Sequence, residues 1–122
     1  MLTLPPTVRL YVCTKPIDMR KSFDGLAIAA RELVGGDPLS GHLFFFFNRR
    51  ADLCKAVWWS AGGYCLFGKR LAKGCFRVPS APLPGERHVE LEASELAMLL
   101  DGIDLRDARK RTRWSPQRKK RR

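Results

Sequence analysis

Between Ser40 and Pro79 the chain alternates four short apolar and aromatic runs with breaks rich in Arg, Lys and Gly. Each run is of strand length and each break of hairpin length. The pattern therefore predicts an antiparallel meander through Leu43–Phe47, Lys55–Trp59, Tyr64–Arg70 and Cys75–Val78. The breaks NRRAD, SAGG and AKG are short enough to join neighbouring strands. The successive phenylalanines Phe44 to Phe47 must point to both sides of their strand, so both faces need cover. A first helix is expected on one face, and a partner or a second copy of the chain on the other.

The flanking segments change period. Val8 to Cys13 reads as a first strand that stops at Lys15-Pro16. From Asp18 to Val34, the residues Met19, Phe23, Leu26, Ala27, Ala30, Leu33 and Val34 recur at helical spacing and form one apolar stripe. Asp18 is placed to cap this helix and Gly35-Gly36 to stop it. Gly25 falls roughly opposite the stripe. It is either a tolerated weak spot or a bare stretch of backbone that a phosphate or another chain can approach. Arg20 and Lys21 lie on the same exposed side and, with Gly25, make a candidate partner-binding surface. A proline-rich loop from Pro79 leads to a short strand at His88–Leu91. A second helix over 92–102 follows, with Leu96, Leu99 and Leu100 facing inward and Gly102 as its stop. These elements predict one α+β domain over residues 1–106, an antiparallel meander of four to six strands with two helices. A basic tail, 107–122, is expected to stay disordered until it meets a partner.

Composition sharpens this picture. The chain has 122 residues, 45 % of them apolar, enough for one core without staples. Its formal charge of +11 is uneven, because residues 109–122 hold nine of the 23 Lys and Arg and no acid, whereas residues 1–108 carry fourteen bases against twelve acids. A nearly balanced body thus ends in a polycation. Cys13, Cys54, Cys65 and Cys75 lack the close pairing or nearby histidines of a zinc site, and read as small apolar residues in a reducing compartment. The amino terminus has no secretory pattern, and the longest apolar run, Leu43 to Phe47, is far too short to span a bilayer. A cytoplasmic protein, nucleoid-associated when bound to DNA, is expected.

A search for catalytic chemistry returns little. Gly63 to Lys69 spells G-x-x-x-x-G-K, but Arg70 stands where a phosphate-binding loop needs Ser or Thr, and the segment reads as a strand. Asp18, Asp24 and Asp52 are better read as a cap, a surface ion partner and a turn residue than as metal-binding carboxylates of a nuclease. His42 and His88 have no companion nucleophile. No enzyme activity and no cofactor are expected.

Nucleic-acid binding is the stronger reading, since cations that displace the counterions of DNA gain affinity regardless of sequence. The candidate residues fall in two groups. Arg49, Arg50, Lys69, Arg70, Lys73 and Arg77 sit at or near the hairpin ends. Arg109, Lys110, Arg111, Arg113, Arg118, Lys119, Lys120, Arg121 and Arg122 make up the tail. Trp58, Trp59 and Tyr64 offer stacking on unpaired bases, although adjacent tryptophans on a strand point to opposite faces. No helix has the layout of a recognition helix.

Several segments together resemble a known family, the accessory proteins of insertion sequence 66 elements (TnpB type, second open reading frame). They are DMRKSFDGLA at Asp18–Ala27, DPLSGHLFFFFNRR at Asp37–Arg50, VWW at Val57–Trp59 and CLFGKRLAKGCFRVP at Cys65–Pro79. LAMLLDGID at Leu96–Asp104 and TRWSP at Thr112–Pro116 complete the set. The resemblance implies a helper role in DNA transposition, encoded beside a separate, larger transposase that performs strand cleavage and transfer, and the family carries no agreed catalytic residues. With the charge pattern, this leads to the expectation of a non-catalytic accessory protein whose partners are DNA and that transposase. Two features depart from the family pattern: Glu92 stands where Ser or Thr often caps the second helix, and the QRKKRR end is longer and more basic than usual. The alternative is an adaptor that docks on the transposase or self-associates without touching DNA.

Overall fold

The computed structural model describes residues 7–81 and 83–102. Five strands form one mixed sheet in the order β4-β3-β2-β1-β5, with β1 at Leu10–Cys13, β2 at Leu43–Phe47, β3 at Leu53–Ser60, β4 at Gly63–Arg70 and β5 at His88–Leu91. Helix α1 (Phe23–Ala29) continues into a single wide π turn, Ala30–Val34, and α2 covers Ala93–Leu100. The expected α+β domain with two helices is therefore present. The antiparallel meander runs through β2, β3 and β4, while β1 lies parallel to β2, with Leu10 opposite Leu43 and Val12 opposite Phe45. A long crossover through α1 makes this parallel pairing feasible.

The pleat sends successive side chains to opposite faces, and each face carries its own helix. Leu43, Phe45 and Phe47 point with Leu10, Val12, Cys54, Ala56 and Leu91 toward Leu96 and Leu99 of α2. Phe44 and Phe46 point with Cys13 and Val57 toward Leu26, Ala29, Ala30 and Val34. All five residues of β2 are buried. The second cover of β2 is thus α2 of the same chain, where a partner or second copy was expected.

Two elements differ from the sequence reading. Helix α1 begins at Phe23 and not at Asp18, and Ser22 occupies the cap position. The cause is local competition: Asp18 Oδ1 accepts from the Arg20 backbone N–H at 2.9 Å, closing an Asx-type turn. Lys55 Nζ then donates to the carbonyls of Met19 (2.7 Å) and Lys21 (3.1 Å), acceptors that an earlier helix start would need. Gly35 ends the helix as expected, in the left-handed conformation at φ 80°.

The second difference is Cys75–Val78, which forms no strand. The chain turns at Gly74, and the Phe76 N–H donates to the Ala51 carbonyl (2.6 Å) across the end of the sheet instead of pairing beside β4. The Phe76 ring, 2 % exposed, packs edge-on against Phe47 at 5.2 Å between centroids. Burial of that ring outweighs the ladder bonds an extra edge strand would make, so β4 remains an edge.

At the start of α2 the Glu95 carboxylate accepts the Glu92 N–H at 3.0 Å, and a capping box forms with Glu in place of the usual Ser or Thr. The β3–β4 hairpin turns on Ala61 (φ 52°) and Gly62 (φ 84°), a pair of left-handed residues of the kind type I′ turns require. Ala61 is strained there. Ala61→Asn is expected to raise stability by ~0.5–1 kcal/mol and Tm by a few degrees in thermal denaturation. An unchanged or lower Tm would contradict the assigned turn.

Candidate nucleic-acid interface

Because β1 and β2 are parallel, both finish at one end of the sheet, where β3 and β5 begin and β4 finishes. Four loops meet there, tied by backbone bonds. Ile17 N–H donates to Phe47 O (3.0 Å), Leu71 N–H to Asp52 O (2.8 Å), Phe76 N–H to Ala51 O (2.6 Å) and Thr14 N–H to Arg87 O (2.9 Å). The Lys55 bonds to Met19 and Lys21 fasten the crossover loop to the same end.

Asn48 shapes the β2–β3 turn. Its Oδ1 accepts from the N–H groups of Asp52 (3.0 Å) and Leu53 (3.1 Å), and its Nδ2 donates to Asp52 Oδ1 at 2.6 Å. Arg49 and Arg50 are left at the exposed apex. The Asn48 hydrogen bond holds the Asp52 carboxyl below the ordinary carboxylate range, with the charges of Arg50 and Arg70 adding to the effect. Those two guanidiniums therefore share one electrostatic neighbourhood.

Of the cations singled out in the hairpins, Arg49, Arg50, Arg70, Lys73 and Arg77 are exposed at this end. Lys69 is half-buried, and its Nζ donates to the Leu100 carbonyl at 2.7 Å. It thereby offsets the negative pole of α2 where that pole faces the basic end. Arg20 and Lys21, assigned from sequence to a separate surface, belong to the same end through the crossover loop. Arg20 grips Asp18 with two nitrogens, at 2.7 Å and 3.0 Å to Oδ2, which pulls the Asp18 carboxyl down to about 2. This pair is exposed and supplies no buried charge. Gly25 faces Lys21: a Cβ there would come within 3.0 Å of the Lys21 Cβ, so the side chain of Lys21 occupies the space a foreign backbone would use.

Lys15 and Arg87, both exposed at the same end, escaped the sequence reading. Nothing in their linear spacing marks them, because the parallel β1–β2 pair and the antiparallel β5 bring them there. The aromatic candidates do not join the cluster. Trp59 and Tyr64 pack edge-on at 5.1 Å beside the β3–β4 turn, at the far end of these strands, and Trp58 packs on the α2-side core. The tail bases Arg109, Lys110, Arg111, Arg113, Arg118, Lys119, Lys120, Arg121 and Arg122 lie outside the described residues.

The catalytic alternatives gain nothing from this arrangement. Among the described residues no group of three or more His, Cys, Asp or Glu could hold a metal ion. Gly63–Lys69 is extended strand, so its N–H groups cannot converge on a phosphate as a loop would. No helix among the described residues is long and apolar enough to cross a membrane.

Burial fixes the thiol chemistry. Desolvation raises the Cys13 thiol and pushes Cys54 up to about 12, while Cys75 is exposed. The folded chain holds the Cys54 proton above the ordinary 9.0. Its contribution to stability is thus complete below that value and is lost as pH rises toward 12. At pH ~8, iodoacetamide is expected to modify Cys75 in the native protein and Cys54 only after unfolding, as read by peptide mass. Early modification of Cys54 would contradict the assigned packing.

A family model described as IS66 Orf2 like protein matches residues 8–110. The chain belongs to the IS66 Orf2-like family. Two relatives are uncharacterized proteins of Sinorhizobium fredii (strain NBRC 101917 / NGR234). One, y4hO, is 37 % identical over 116 residues, covering 95 % of this chain and 96 % of the relative. The other, y4jC, is 31 % identical over 97 residues, covering 80 % of each. No solved structure matches the chain. Membership makes this IS66-type protein an accessory protein associated with transposition of an insertion sequence. The DMRK, NRR and KRLAKGCFRV segments that first suggested the family all meet at the basic end of the sheet.

Proposed function

We propose that the protein assists IS66 transposition by binding DNA, without catalysing bond cleavage, and holds phosphates near the element's transposase. The observation that carries this reading is the gathering of Arg49, Arg50, Arg70, Lys73 and Arg77, all exposed, with Arg20 and Lys21 at one end of the sheet. Three of the contributing segments are far apart in sequence, and the two carboxylates among them, Asp18 paired with Arg20 and Asp52 bonded to Asn48, are outnumbered by the exposed cations. Such a surface meets a phosphate backbone without reading bases, which suits a factor that positions DNA for another enzyme. The test is fluorescence anisotropy of the full chain with labelled element-end duplex and a scrambled duplex in dilute buffer. Binding to both supports the reading, and no binding to either overturns it. Incubation with plasmid and magnesium or manganese checks the non-catalytic part, which cleavage would refute.

A second reading has one observation in its favour. Phe23 (43 % exposed), on the first turn of α1 at the edge of its apolar stripe, and Ile28 (46 %), on the side turned away from the sheet, are large apolar side chains left open to solvent. An adaptor docking on the transposase would use this helix, because β2 at the centre of the sheet is already covered on both faces by α1 and α2. Recovery of the transposase from nuclease-treated extract, lost in a Phe23→Ser and Ile28→Ser variant, would favour the adaptor over DNA binding.

A further inference from the structure

We infer that β4 is an association edge, on which a second copy of this chain adds its own β4 antiparallel to make one continuous sheet. The inference goes beyond the DNA-binding reading and does not depend on it. The two edges of the sheet are built differently. β5 is four residues long, follows a proline-rich loop and carries the exposed Glu90, features that discourage strand addition. β4 is eight residues long and runs in unbroken register with β3 from Gly63 to Arg70, with no proline and no bulge. A lysine on an edge strand usually repels a second strand, but the Lys69 amine is drawn off to the Leu100 carbonyl at 2.7 Å. The edge therefore bears no free charge before Arg70.

The outward backbone groups can be assigned. Leu71 N–H donates to the Asp52 carbonyl at 2.8 Å, one step beyond the register pair Leu53–Arg70. Antiparallel ladders alternate, so Lys69, Phe67, Cys65 and Gly63 also turn their N–H and C=O toward β3. Tyr64, Leu66, Gly68 and Arg70 turn theirs away from it. Among the described residues, no other segment bonds to those four.

This row is complementary to itself. Its four members lie symmetrically about Phe67, which is 37 % exposed although large and apolar. A second β4, related by a two-fold axis through Phe67, pairs Leu66 with Gly68 and Tyr64 with Arg70, and satisfies all four outward residues of each copy. Phe67 then meets Phe67 of the other copy, and Leu66 lies opposite a glycine, whose bare backbone allows close approach. Arg70 meets the Tyr64 ring, a favourable cation–aromatic pair, and Cys65 meets Lys69, so no cation opposes a cation. The same axis turns the two basic ends in opposite directions. Such self-complementarity is what an isologous contact requires, and it selects a second copy over an unrelated strand.

The test is the mass of the full chain by sedimentation equilibrium, after nuclease digestion and at about 0.5 M salt, where phosphate contacts are weak and no nucleic acid bridges the copies. Twice the 13.9 kDa of one chain is expected. Gly68→Pro removes an outward N–H and leaves the β3 ladder intact, and the nearest atom to a Cβ there, the Cys54 carbonyl oxygen, is 3.9 Å away. This variant is expected to sediment as one chain with an unchanged circular dichroism spectrum.

A cross-link supplies the second measurement. In a background with Cys65 and Cys75 replaced by serine, Phe67→Cys places two thiols on strands whose Cα atoms are about 4.5 Å apart, within disulfide range. Glutathione disulfide, accepting their two electrons and two protons, should trap a covalent dimer that a reducing thiol dissolves. Glu90→Cys in the same background, on the β5 edge, should stay a single chain. One-chain mass for the unmodified protein at every concentration overturns the inference. So does a dimer that survives Gly68→Pro, or cross-linking no faster at Phe67→Cys than at Glu90→Cys.

Discussion

Phe46→Ala is expected to lower the stability of the domain by ~3–5 kcal/mol, the usual range for truncating a buried aromatic ring. Phe46 is completely buried between the α1 side of the sheet and its neighbours Val57 and Leu26. Its strand is central in the order of five, so no outward movement can refill the space. A loss of that size approaches the whole stability of a small domain, ~5–15 kcal/mol. In urea titration the midpoint should fall sharply with little change in slope, because the same surface is exposed on unfolding. Phe67→Ala is the internal comparison: Phe67 lies on the edge strand β4 and is 37 % exposed, so a change within about 1 kcal/mol is expected. Equal effects at the two positions would mean that β2 is not the doubly covered strand described here.

The second large effect is electrostatic. Raising salt from about 50 to 200 mM is expected to weaken binding to duplex DNA by about a thousandfold or more, provided six or more cations contact phosphate. The chain has the charge for this, with nine bases after residue 108 and at least five exposed cations at the basic end of the sheet. Element-end and scrambled duplexes should show parallel salt slopes, because phosphate contacts carry no sequence information. A flat salt dependence would remove the electrostatic basis of the proposed role, and a steep slope for the element end alone would contradict binding through phosphates without base readout.

How far the sequence carried these conclusions depended on the range of the interaction involved. β2 and β5 were legible residue for residue, and β3 and β4 to within two residues, because strand-length apolar and aromatic runs bounded by turn residues are a local signal. The segment Cys75–Val78 carried the same signal and still became a loop. Its alternation serves to seat Phe76 against Phe47, a contact that sequence spacing cannot reveal. Helix α1 was legible as a stripe, but its first turn was lost to the Asp18–Arg20 turn and to Lys55, a residue more than thirty positions away.

The candidate site divides along the same line. By itself the sequence determined that cations crowd the hairpin turns and the carboxy-terminal run, that four phenylalanines require cover on both sides, and that the chain resembles the IS66 accessory family. Composition and local spacing suffice for such statements. Only the tertiary structure decided that Arg20 and Lys21 share an end with Arg49, Arg50 and Arg70, that Lys15 and Arg87 join them, and that Lys69 turns inward to α2. It also decided that α2, and not another molecule, closes the second face of the sheet. The physical reason is the parallel pairing of β1 with β2: the crossover makes both strands finish at the same end of the sheet, and that choice is made by packing across the sheet, where local sequence has no voice.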